Sequence, residues 1–126
     1  MLENTTLIAI DKFITDHTRF IRGRNVITDR DAAELFETDL QTVHNLVNCN
    51  TELFNPDHIL ILTARETIND NITEYAFTEQ GLFNLAGLLK TKRAIRVYVS
   101  LIQVMVNRLQ GNAGRIISSL YEKNTN

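Results

Sequence analysis

The chain has 126 residues, with 44% hydrophobic and 22% charged, which fits one globular domain around a single core. A formal net charge of −2 argues against a generic polyanion binder, and the single cysteine, Cys49, excludes an internal disulfide. No run approaches the ~18 uninterrupted apolar residues of a membrane span, and Met1–Thr6 does not open a leader, so no membrane partner and a reducing, cytoplasmic setting are expected.

Residues 1–17 read as a lead-in, and 18–110 as the domain proper. Phe20-Ile21, a turn over Gly23–Asn25, and Val26-Ile27 predict a short hairpin. Thr28 or Asp29 offers an N-cap to a helix whose apolar side is Ala32, Ala33, Leu35 and Phe36. Glu37-Thr38-Asp39 interrupts it, and a second helix from about Leu40 to Asn48 turns Val43, Leu46 and Val47 inward. Asn55-Pro56-Asp57 is a break before a buried strand, His58–Thr63. A polar turn at Asn69–Asn71 and a second strand, Thr73–Phe77, complete an antiparallel ribbon. Thr78 caps a helix running to about Leu89, with Glu79 in its first turn. After Lys90-Thr91 a longer helix continues to about Gln110, where Gly111 stops it. Residues 111–126 form a partly frayed extension, with room for a short helix over Gly114–Tyr121. The order is that of a small α+β domain.

The spacing of Ala33, a turn four residues on, and Val43 ten residues on matches the inward positions of a helix-turn-helix. A small residue is needed where the helices touch, and an apolar one locks the second helix on the first. Glu37 stands where Gly, tolerant of positive φ, is more usual. In this register Gln41, His44, Asn45 and Asn48 face outward, and Gln and Asn can read adenine edges in a major groove. A packed helix pair with no nucleic-acid role explains the same pattern.

Charge works against the DNA reading. Residues 1–78 hold six Lys/Arg against thirteen Asp/Glu, a net of −7, whereas residues 79–126 hold seven against two, a net of +5. From Asp29 to Asp57 seven acids face one base, Arg30. DNA affinity rests largely on phosphate neutralisation by Lys and Arg, so the bases would have to come from elsewhere. The sources are Arg19, Arg22 and Arg24 around the hairpin and the cluster Lys90, Lys92, Arg93 and Arg96. For both groups solvated surface is the favoured reading. Glu34, Glu37 and Asp39 gather at the turn between the two helices, where they suit a basic protein partner.

On the long helix Ile95, Val99, Ile102, Val106 and Leu109 recur at spacings of 4, 3, 4 and 3, and Leu101 and Met105 belong to a second stripe. A helix apolar over most of its circumference must be covered on both sides, which predicts a homodimer or higher oligomer built on these residues, or a central core helix. Catalysis finds little support. His17, His44 and His58 lack paired spacing, and Cys49 and His44 fall on different helix faces. No enzyme, metal or cofactor is expected.

Ile21-Arg22-Gly23-Arg24, Asp29–Phe36, Asn50, Phe54, Leu62-Thr63, Tyr75-Ala76-Phe77-Thr78-Glu79-Gln80-Gly81 and Arg93-Ala94-Ile95 follow one another in a pattern that resembles the KilA-N superfamily. In particular it resembles the ORF-six-N-type N-terminal domain of phage and prophage antirepressors and DNA-binding regulators. The resemblance covers about residues 18–110 and implies a DNA-binding-type fold and a role in phage gene control. The chain departs from that pattern where the family commonly carries Lys and Arg: here stand Asn48, Cys49 and Leu53, and Arg65–Glu74 is short and holds one base, Arg65, against Glu66, Asp70 and Glu74. Two functions follow. One is an antirepressor-like regulator that touches a protein such as a repressor. The other is a sequence-specific DNA-binding module using the helix pair.

Overall fold

Ile10 and Ile14 lie one helical turn apart, enough to seat a helix even where most of its other positions are polar. The computed structural model describes residues 2–67 and 75–124, and the side chains of 6–67 and 75–109. Its first element is α1 (Leu2–His17), with Ile10 and Ile14 buried. The stretch expected as a lead-in therefore supplies part of the core.

A hairpin follows, β1 (Arg19–Ile21) and β2 (Arg24–Thr28), joined by Arg22 and Gly23 at φ 51° and 77°. Two successive positive φ values make the two-residue turn whose twist suits a hairpin. The turn sits earlier than the predicted Gly23–Asn25, and Asn25 pairs with Phe20 inside the ladder.

Thr28 accepts from the N–H of Asp31 and caps α2 (Asp29–Leu35), and Asp39 accepts from the N–H of Thr42 and caps α3 (Leu40–Cys49). A 3₁₀ turn at Thr51–Leu53 leads to β3 (Ile59–Ile61). β4 (Tyr75–Thr78), α4 (Glu79–Leu89) and α5 (Lys92–Asn124) complete the order. The predicted turn at Asn69–Asn71 and the predicted strand start at Thr73-Glu74 lie outside the described residues.

Hairpin and ribbon join in one antiparallel sheet of order β1-β2-β4-β3. Ile27 pairs with Phe77 and Val26 with Thr78 across the β2–β4 seam. The pleat sends Ile27 and Phe77 into the helix-covered core with Leu35, Val43, Leu82 and Leu85, while Val26, Leu60 and Ala76 gather on the other face.

The motif Tyr75–Gly81 has a structural explanation. Thr78 donates from its N–H to the carbonyl of His58 at 2.9 Å and from its hydroxyl to the carbonyl of Asp57 at 2.8 Å. The same hydroxyl accepts from the N–H of Gly81 at 3.2 Å. A Cβ on residue 81 would lie 2.1 Å from the His58 carbonyl oxygen, so only glycine lets the first turn of α4 press on the chain entering β3.

α5 is one helix of 33 residues, so the predicted stop at Gly111 and separate helix over Gly114–Tyr121 are corrected. A helical glycine costs only about 1 kcal/mol relative to alanine, and Gly111 is followed by Asn112 and Ala113, which continue the helix. Ala94, Val97 and Leu101 pin the first half of α5 into the core.

Candidate recognition surface

The α2–α3 pair is built as its spacing predicts. Ala33, Val43 and Val47 are buried between the helices and the rest of the core. Glu37 takes φ 53°, the left-handed conformation that a glycine would adopt more easily. It allows the N–H of Thr38 to reach the carbonyl of Ala33 at 2.9 Å and close the end of α2. Arg93 secures this turn from outside, donating from Nε to the carbonyl of Leu35 at 2.8 Å and pairing with Glu37 at 3.1 Å. The corner between α4 and α5, with exposed Lys90 and Lys92, is thereby brought beside the turn.

The outward face of α3 is polar and uncharged. Gln41 donates to Asn45 at 2.9 Å along the helix, and Asn48 accepts from the hydroxyl of Tyr75 at 3.3 Å. His44, expected on this face, turns inward and is only 16% exposed. Its Nε2 donates to Oδ2 of Asp29 at 2.6 Å, and its ring meets Tyr75 edge-on at 5.1 Å. Asp29 is fully buried and also accepts from the N–H groups of Arg30 at 2.8 Å and Tyr75 at 3.3 Å. The pair ties α3 to the start of α2 and to β4. Asp29 was visible in the sequence only as a possible cap.

The arginines are mostly held by the domain itself. Arg22 reaches both oxygens of Glu66, at 2.8 and 2.6 Å, and the carbonyl of Ile61 at 2.8 Å. This fork, with the N–H of Thr63, holds the Glu66 carboxyl down to about 2, and Glu66 in turn raises Arg22 above its usual range. Arg24 donates to the carbonyls of Pro56 and Asp57 at 3.0 and 2.9 Å. Arg19 is half-buried on β1, with a buried Nε that has no hydrogen-bond partner among the described residues. Arg96 is half-buried on α5. Of the acids near the turn, Glu34 is exposed, Glu37 pairs with Arg93, and Asp39 caps α3, its carboxyl lowered by the hydrogen bonds from Thr42.

A second surface lies on α5. Ile95, Val99, Ile102, Met105, Val106 and Leu109 are between 37% and 65% exposed, whereas Leu101 is buried in the domain's own core. Ile102, Met105, Val106 and Leu109 form one wall of a groove of about 720 Å³ whose other wall includes Phe83, Gly87 and Leu88 of α4, and none of its lining residues is charged. Among the described residues no group of three or more His, Cys, Asp and Glu is arranged to hold a metal ion, and no helix is long and apolar enough to cross a membrane.

These features define a small α+β domain that exposes a polar, base-free helix on one side and an apolar helix face on another. The ORF6N domain family model matches residues 16–88, well over half of the chain. The chain belongs to this phage-type regulatory family, in agreement with the resemblance carried by the Tyr75–Gly81 motif. The match runs from the end of α1 through nearly all of α4 and stops short of α5. Comparison with curated proteins and with solved structures gave no match.

Proposed function

We propose that this ORF6N domain is a non-enzymatic regulator that acts in the cytoplasm by protein contact, in the manner of an antirepressor, and works as an oligomer. The observation that supports this most is the condition of its arginines. Arg22, Arg24 and Arg93 are bonded to a carboxylate or to backbone carbonyls of the domain. α3 itself carries no Lys or Arg. Phosphate binding would require those guanidinium groups to leave good internal partners, and most non-specific DNA affinity comes from such contacts. The acids at the turn repel phosphate and favour a basic or amphipathic face on a partner protein such as a repressor. Charge of this kind mainly speeds encounter and rejects wrong partners.

A DNA-binding module is the second reading. It is favoured by the left-handed Glu37 at the turn and by Gln41, Asn45 and Asn48 on the outward face of α3. Lys90 and Lys92 beside the turn, with a partner copy, would supply the bases.

Titration of a fluorescent random-sequence duplex at about 50 mM salt separates the two readings. The protein-contact reading predicts no saturable binding at micromolar protein. Tight binding that is lost in Gln41→Ala with Asn45→Ala would establish the second reading instead.

A further inference from the structure

We infer that α5 pairs with α5 of a second copy of this chain, along a seam of Ile95, Val99, Ile102, Val106 and Leu109. The inference rests on the oligomeric part of the proposed function and names the surface that carries it. α5 has two apolar sides. Ala94, Val97 and Leu101 bury one against the domain's own core, and the seam residues are exposed on the other.

What covers the exposed side follows from its spacing. Steps of 4, 3, 4 and 3 place these residues on a narrow line that stays in contact with a neighbouring helix over several turns. A sheet face or a small ligand imposes no such alternation. In the sequence the same steps continue through Ala113, Ile116 and Leu120, and the helix runs to Asn124, about 50 Å in all at 1.5 Å per residue. Helix of that length reaches beyond Leu101, the last buried residue described on it. A helix in water draws most of its stability from packing its apolar face.

A second copy fits for three reasons. The stripe is self-complementary, as a two-fold interface requires. Of the flanking positions, Arg96 at the start of the seam is charged and Tyr98, Gln103 and Met105 are not, so like-charge contact between identical helices is confined to one end. The groove beside the seam is also free of charge, and at Gly87 an added Cβ would meet nothing within 4 Å, which leaves room for a helix to approach α4 closely.

Size-exclusion chromatography with light scattering on the full chain tests the inference. Twice the 14.4 kDa chain mass is expected at micromolar concentration. Ile102→Glu with Val106→Glu is expected to elute as a monomer with an unchanged circular dichroism spectrum, because both side chains are exposed. Should that pair disturb the helix, Ile102→Ser with Val106→Ser makes the same test without charge. A natural chain that stays at 14.4 kDa throughout, or a folded variant that stays dimeric, overturns the inference. The protein-contact reading fails separately: a dimer that binds random duplex tightly refutes that reading and leaves this one in place.

Discussion

Replacing Asp29 with Ala removes the acceptor that joins α2, α3 and β4. The carboxylate is fully buried and takes hydrogen bonds from His44, Tyr75 and Arg30. The N–H of Arg30 sits at the start of a helix and can turn to water. Those of His44 and Tyr75 lie in a half-buried corner and cannot be hydrated as easily. Leaving a buried donor unsatisfied costs about 1–3 kcal/mol. For the two donors of His44 and Tyr75 the loss comes to about 3 kcal/mol, a large fraction of the 5–15 kcal/mol that typically stabilises a domain. At roughly 4 °C per kcal/mol for a chain of this size, Tm should fall by about 12 °C. Asp29→Asn keeps an acceptor of the same shape and should lose about half as much. Urea and thermal unfolding followed by circular dichroism give both numbers. A double-mutant cycle with His44→Ala should show a coupling of at least about 1 kcal/mol. An Asp29→Ala loss below about 1 kcal/mol, or additive single mutants, would refute the claim that this pair fixes the position of α3.

The Arg22–Glu66 fork gives a pH prediction. Because the Glu66 carboxyl is held at about 2 against an ordinary 4.5, its contribution to stability is fully present above the ordinary value and is lost as pH falls toward 2. Glu66→Gln should remove that acid-dependent component, which carboxyl NMR titration and acid unfolding both read. Gly81→Ala should destabilise by about 3 kcal/mol or more, since its Cβ meets backbone at His58 and not a yielding side chain; a stable variant in urea melts would refute the close approach. Glu37→Gly should stabilise by roughly 0.5–1 kcal/mol, because relief of the left-handed conformation outweighs an ion pair whose Glu37 side chain is 64% exposed. Equal or lower stability in the same melts would show that the Arg93 contact dominates.

What was legible in the sequence was local. Thr28 and Thr78 act as caps where a Ser/Thr-type residue precedes an apolar run, and α3 follows its 3.6-residue period within a residue of its predicted end. What was hidden was long-range. The β2–β4 seam joins strands about fifty residues apart, and no local pattern announces which strands will meet. The arginines looked like surface charges because their partners are distant: Arg22 meets Glu66 44 positions on, and Arg93 meets Leu35 58 positions back. His44 looked outward because Asp29 read as a possible cap and not as a buried acceptor. α1 carries little sequence pattern because its polar residues dilute the stripe of Ile10 and Ile14, and Gly111 does not stop α5 because glycine weakens a helix without ending it.

On the proposed protein-contact reading, charge and arginine engagement, and not the shape of the helix pair, keep this domain from duplex DNA. The most direct measurement compares the natural chain with Glu34→Lys, Gln41→Lys and Asn45→Lys combined, all at exposed positions that leave the Asp39 cap and the Glu37–Arg93 pair untouched. Both are titrated into labelled random duplex at several salt concentrations. The natural chain should show no saturable binding at micromolar protein, while the variant should bind and weaken steeply as salt rises, in proportion to the phosphates neutralised. Tight, salt-dependent binding by the natural chain, or none by a folded variant, would contradict the account.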